Sequence, residues 1–81
     1  MKYIVMELQT AADGSVANLV SQFDDRLSAE STYHSILASA AISQLPIHAA
    51  MIFTNDGTMV MSAYYVHEQP EPEPEPEPNQ E

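Results

Sequence analysis

The spacing of apolar residues changes twice along this chain of 81 residues, and this change constrains the fold more than any single motif. Segments 2–10 and 16–23 alternate between apolar and other side chains, which is the period of a β-strand. Residues 26–43 have the spacing of an amphipathic helix, and segments 48–54 and 58–68 return to strand-like composition. The order ββαββ predicts an α+β domain with one helix on one face of a four-stranded, mainly antiparallel sheet. Several strand orders are compatible with this pattern.

Turn and cap residues separate these segments. The sequences AADGS and NDG lie between the paired strand segments and predict two hairpin turns. Asp24 or Asp25 is suited to cap the helix, because a carboxylate accepts hydrogen bonds from the first free N–H groups. Pro46 cannot continue a helix, so the helix is expected to end before it.

The last fourteen residues differ from the rest of the chain. EQPEPEPEPEP has no apolar side chain to bury, and repeated proline favours extended polyproline II geometry. We therefore predict a folded domain at residues 1–67 and a disordered Glu-Pro tail at residues 68–81. A solubilising spacer is the simplest interpretation of the tail, and an acidic docking motif or a phosphate mimic are alternatives.

The charge balance excludes some partners. Twelve acids face two bases, Lys2 and Arg26, for a net charge of −10 at pH 7. Two bases cannot neutralise a row of phosphates, so neither direct nucleic-acid binding nor attraction to an anionic membrane is expected. No segment resembles a signal peptide or a membrane span, and there is no cysteine for disulfides. These features predict a cytoplasmic protein.

Catalytic and metal-binding motifs are missing from the sequence. His34, His48 and His67 lack the close spacing of a zinc site, and Asp24 and Asp25 lack the remaining ligands of a calcium loop. No nucleophile motif or glycine-rich phosphate loop occurs. We therefore predict no catalytic residue, no metal and no cofactor, and a protein that is not an enzyme.

Both faces of the expected sheet carry apolar side chains, although one helix can cover only one of them. An antiparallel sheet with one solvated face usually alternates between apolar and polar residues. The uncovered face is therefore predicted to bind a second copy or an unidentified protein. The residues assigned to this interface are Tyr3, Val5, Met51, Met61 and Tyr65.

The outer side of the helix is a second candidate interface. It carries serines at positions 28, 31, 35, 39 and 43, where Lys, Glu and Arg are more usual. Small side chains permit close approach by another element, and a tolerated neutral surface is the alternative. The residues assigned to this interface are Ser28, Ser35, Ser39 and Ile42.

Three segments, KYIVMELQT, DDRLSAESTYHSILASAAIS and LPIHAAMIFT, resemble small acidic proteins of gut Firmicutes and their phages and prophages. The likeness covers about residues 2–67 and leaves the tail outside. That group is functionally uncharacterised, so the resemblance implies no catalytic residue here and favours a phage-linked, non-enzymatic role.

Two functions are compatible with these observations. The first is a protein-interaction module that associates with itself as a homodimer or with another protein. The alternative is an acidic inhibitor that imitates nucleic acid and blocks a nucleic-acid-binding protein of a host or phage. Such a mimic needs carboxylates at phosphate-like spacing on a rigid surface, whereas three of the six acids before residue 68 lie in turns or the helix cap. The interaction module is therefore favoured.

Overall fold

The computed structural model describes residues 1–68 and has the predicted ββαββ order. The elements are β1 (Tyr3–Thr10), β2 (Val16–Phe23), α1 (Arg26–Ile42), β3 (Ile47–Thr54) and β4 (Met59–Val66). The strands form one sheet with antiparallel pairing throughout, and α1 packs on one of its faces. The predicted α+β class is therefore confirmed. The predicted tail lies outside the described residues apart from Glu68.

Both hairpins close with the same turn, an Asp-Gly pair followed by a hydroxyl residue. In the β1–β2 turn, the Gly14 N–H donates to the Ala11 carbonyl, and the Ala11 N–H donates to the Ser15 carbonyl. Residues 54–58 repeat this pair of bonds in the β3–β4 turn. Gly14 and Gly57 have φ angles of 92° and 91°, a region that other residues rarely adopt. The turn therefore needs glycine at this position.

The strand order is β2-β1-β3-β4, which puts the two hairpins side by side. β1 and β3 form the centre of the sheet, and β2 and β4 form its edges. The β1–β2 ladder is regular along both strands, whereas β4 has an extra residue, Val60, opposite the step from Ile52 to Phe53. α1 packs mainly on β3 and β1 and makes its weakest contact with β2.

The core forms between α1 and the central strands. Its buried apolar residues are Val5, Ala29, Tyr33, Ala50 and Ile52. Ile36 and Leu37 pack against this cluster from the helix, as the helical spacing predicts. Ala41, which the same spacing places on the packing face, is exposed.

Capping residues set the limits of α1. Asp25 is the N-cap, and its side chain accepts a hydrogen bond from the Ser28 N–H at 2.9 Å. This bond confirms one of the two capping residues that the sequence suggested. At the other end, Ser43 adopts an extended conformation and Pro46 follows it before β3 begins.

Candidate functional site

The face of the sheet opposite α1 is not covered by any other element of residues 1–68. Directly paired residues of an antiparallel ladder share a face, and Val5 and Ile52 are paired in the core. The alternate residues of each strand therefore point away from the helix. This open face consists of Ile4, Met6, Leu8 and Thr10; Val16, Asn18, Val20 and Gln22; Ile47, Ala49, Met51 and Phe53; and Met59, Ser62, Tyr64 and Val66.

The open face has no charged side chain. All its residues are apolar or aromatic except Thr10, Asn18, Gln22 and Ser62. Tyr64 is 66% exposed and Val66 is 64% exposed on β4. A continuous apolar patch of this kind on the surface of a domain is typical of an interaction site.

The structure separates the five residues that the sequence assigned to one interface, Tyr3, Val5, Met51, Met61 and Tyr65. Val5 is only 1% exposed and belongs to the core, and Tyr3 and Met61 pack against that core. Tyr65 is paired with the buried His48 on the helix side. Of the five, only Met51 lies on the open face, so the predicted set is wrong as one surface.

The strand register explains why the five residues do not share one face of the sheet. Val5 pairs with Ile52, so odd-numbered residues of β1 share a face with even-numbered residues of β3. The predicted set contains odd-numbered residues from both strands. Because side chains alternate with a period of two, an error of one residue moves a strand's whole set to the opposite face.

The second predicted set lies together on the outer side of α1. Ser28, Ser35, Ser39 and Ile42 are all exposed, so the structure places them on one accessible helix surface. Ser43 does not extend this surface, because its hydroxyl group lies 3.1 Å from Nδ1 of His48.

A buried polar cluster that the sequence did not predict lies at the C-terminal end of α1. His48 is 4% exposed, and its Nε2 lies 2.6 Å from Oε2 of Glu7. Gln9 donates to the same carboxylate oxygen at 2.9 Å, and Ser43 contacts the other ring nitrogen of His48. The one sequence feature that could have indicated a buried His48 was the alternation of side chains along β3, because His48 shares a strand face with Ala50 and the buried Ile52.

Glu7 is held in its charged form by this cluster. Burial disfavours the carboxylate and acts to raise the pKa of Glu7. Hydrogen bonds from Gln9 and His48, together with the charge of His48, outweigh burial and lower the pKa below its ordinary value. Glu7 is therefore an ionised hydrogen-bond acceptor near the C-terminal end of α1.

The order Ser43–His48–Glu7 has the residue types of a hydrolase relay, but its position favours a structural role. His48 is almost completely buried, so a substrate has little access to it. Ser43 caps the C-terminal end of α1, where free carbonyl groups disfavour the negative oxygen of an acyl-transfer intermediate. His67 also donates from Nε2 to the Ala40 carbonyl at 2.7 Å at this end. The cluster joins β1, β3 and the helix end.

Within residues 1–68, no group of three His, Cys, Asp or Glu side chains is arranged to hold a metal ion. The helix found in this part of the chain lacks the length and apolarity needed to cross a membrane.

Comparison with protein-family models, curated proteins and solved structures found no match to this chain.

Proposed function

We propose that this protein is a non-enzymatic, cytoplasmic protein-interaction module that associates with a second copy of itself through the open face. The observation that carries the proposal is the composition of this face, to which four strands contribute apolar side chains and no charge. The resemblance to phage and prophage proteins favours a phage-linked setting for this role.

The lack of charge favours a second copy as the occupant of the open face. Charged groups usually select a different partner and set its orientation, and this face provides none. Two identical faces can meet about a twofold axis without burying an ionised group. None of the acids of residues 1–68 lies on the open face.

The dimensions of the open face are compatible with a small dimer. Four strands about 4.8 Å apart, with eight residues at about 3.3 Å each, give a face of about 500 Å². Two copies would bury about 1,000 Å² before the relief of the side chains is counted, which is near the lower limit for a specific interface. Side-chain relief increases this area, so the face is large enough.

The alternative, an acidic mimic of nucleic acid, receives less support from the acids of residues 1–67. Each of these six carboxylates has its own hydrogen-bond or ion-pair partner within residues 1–68 instead of belonging to one shared acidic surface. The pairs are Glu7 with His48, Asp13 with Ser15, Asp24 with Lys2, Asp25 with the Ser28 N–H, Glu30 with Arg26, and Asp56 with Thr54. A mimic would require carboxylates aligned at phosphate-like spacing.

The Met51→Lys variant tests the proposal, because Met51 lies on a central strand of the open face. A twofold interface contains the residue twice, and burial of one such side chain contributes about 1.5–3 kcal/mol. We expect the dimer dissociation constant to rise by about 100-fold or more. Sedimentation velocity over a concentration series measures this change, and circular dichroism checks that the fold is retained.

The matched control is Ala12→Lys, which adds the same charge in an exposed turn. It should leave the dissociation constant unchanged. A wild-type chain that stays monomeric and binds no hydrophobic dye at high micromolar concentration would contradict the proposal. If Ser35→Lys abolished association and Met51→Lys did not, the interface would lie on the serine side of α1 instead.

A further inference from the structure

Within residues 1–68, the edge strand β2 has none of the features that usually protect a sheet edge. Residues 16–23 contain no charge and no proline, and the β1–β2 ladder is regular along the whole strand. Native edges are commonly blocked by charged residues, proline, bulges or a covering element. The opposite edge, β4, has the extra residue Val60, and the acidic segment continues the chain from its end. β2 is therefore the more accessible edge for pairing.

The side chains of β2 are exposed on both faces of the sheet. Val16 and Val20 lie on the open face and are 57% and 52% exposed. Leu19 lies on the helix side of the sheet and is nevertheless 53% exposed. Covering the open face alone would leave Leu19 in water, so face-to-face packing does not account for all of β2.

The hairpin geometry shows which backbone groups of β2 point outward. Ala11 and Ser15 form the hydrogen-bonded pair that closes the β1–β2 turn. Hydrogen-bonded and non-hydrogen-bonded pairs alternate along an antiparallel ladder, so the odd-numbered residues of β2 bond to β1. The outward N–H and C=O groups accordingly belong to Val16, Asn18, Val20 and Gln22.

We propose that β2 pairs antiparallel with β2 of a second copy about a twofold axis, which joins two sheets into one of eight strands. The register that places Leu19 opposite its own equivalent pairs Asn18 with Val20 and Val16 with Gln22. Every outward backbone group then meets a partner, and the two Leu19 side chains cover each other between the two helices. Self-pairing thus uses all four outward residues and covers Leu19 with its own equivalent, so a second copy accounts for both the open backbone groups and the exposed Leu19.

The charges at the ends of β2 predict a particular salt dependence. In this register Asp13 of one copy lies near Asp24 and Asp25 of the other, and these like charges repel. Salt screens exposed charges, so edge pairing should strengthen as the ionic strength rises. A partner with basic residues at its ends would show the opposite dependence.

Residue-resolved amide hydrogen exchange on the full chain tests this proposal directly. In a monomer, or in a dimer paired only through the open face, the amides of Asn18, Val20 and Gln22 have no backbone partner among residues 1–68. In the edge-paired dimer we expect them to exchange at least about tenfold more slowly, and to lose this protection on dilution. Fast exchange of these amides at concentrations where the protein is associated would overturn the proposal.

Two variants distinguish edge pairing from packing of the open face. Leu19→Lys places a charge at the twofold axis on the helix side and should abolish protection of the outward amides, whereas Asn18→Ala should retain it. Edge pairing is a contact separate from the open face, so Met51→Lys should weaken only the open-face contact, seen in sedimentation as the loss of species larger than the edge-paired dimer, and should leave this protection in place. Leu19→Lys with unchanged protection would overturn the edge pairing. Loss of protection in Met51→Lys with retention in Leu19→Lys would show that the amides report on the open face instead.

Discussion

At the scale of single residues, the buried contact between Glu7 and His48 should make stability depend on pH. The folded-state pKa of Glu7 lies below its ordinary value, so the folded chain binds fewer protons than the unfolded chain as Glu7 titrates. The stabilisation by Glu7 is complete above its unfolded pKa, about 4.3. It is lost as the pH falls through the lower folded pKa.

The Glu7→Gln variant removes this titration while keeping the shape of the side chain. We expect the free energy of unfolding at pH 7 to fall by about 1 kcal/mol, because a charge-assisted hydrogen bond becomes a neutral one. The difference from wild type should shrink as the pH falls from 5 toward 3. Urea denaturation at a series of pH values measures it, and a difference that is constant with pH would contradict an ionised Glu7.

At the scale of elements, the sequence predicted the strands, the helix and both turns because each depends on local pattern. Asp25, Pro46 and the two Asp-Gly pairs limit their segments through chemistry that acts within a few residues. The open face of the sheet could not be predicted in the same way. Its membership depends on the pairing of Val5 with Ile52 and on the bulge at Val60, which are both long-range features.

The buried cluster of Glu7, His48 and Ser43 could not be predicted either, because it also depends on long-range strand pairing. Glu7 and His48 lie far apart in the sequence, and each occupies an ordinary strand position. Only the β1–β3 register brings them to one side of the sheet, beside the end of α1. Local spacing predicted a serine side of the helix, where Ser28, Ser35 and Ser39 are exposed, but it gave no sign of the contact between Ser43 and His48.

The repeated turn allows a paired prediction for the two hairpins. A Cβ atom added at Gly14 or Gly57 would meet no other atom within 4 Å, so the cost of alanine is conformational and not steric. Both residues have positive φ, and we expect each alanine substitution to lower the free energy of unfolding by about 1 kcal/mol. Thermal or urea denaturation measures both variants, and strongly unequal losses would show that the turns are not equivalent.

At the scale of the whole molecule, charge opposes association. Residues 69–81 contribute five of the twelve acids, so removing them changes the net charge from −10 to −5. Truncation after Glu68 should leave the melting temperature unchanged, since the segment has no apolar side chain to pack.

The same truncation should tighten self-association at low salt because it reduces the repulsion between copies. The difference from the full chain should vanish at about 0.5 M salt, where exposed charges are screened. Sedimentation at several ionic strengths measures both forms. A melting temperature that falls by several degrees on truncation would mean that the tail contacts the domain.

The direction of the outer ends of β1 and β4 has a mechanical consequence. β1 begins at the end of the sheet where Tyr3 pairs with Thr54, and β4 finishes at the opposite end, where Val66 pairs with Ile47. A pulling force applied to the two ends of the domain would therefore act along the strands. The hydrogen bonds of the β1–β3 and β3–β4 ladders would then be loaded together in shear, instead of breaking one after another from one end of a strand pair.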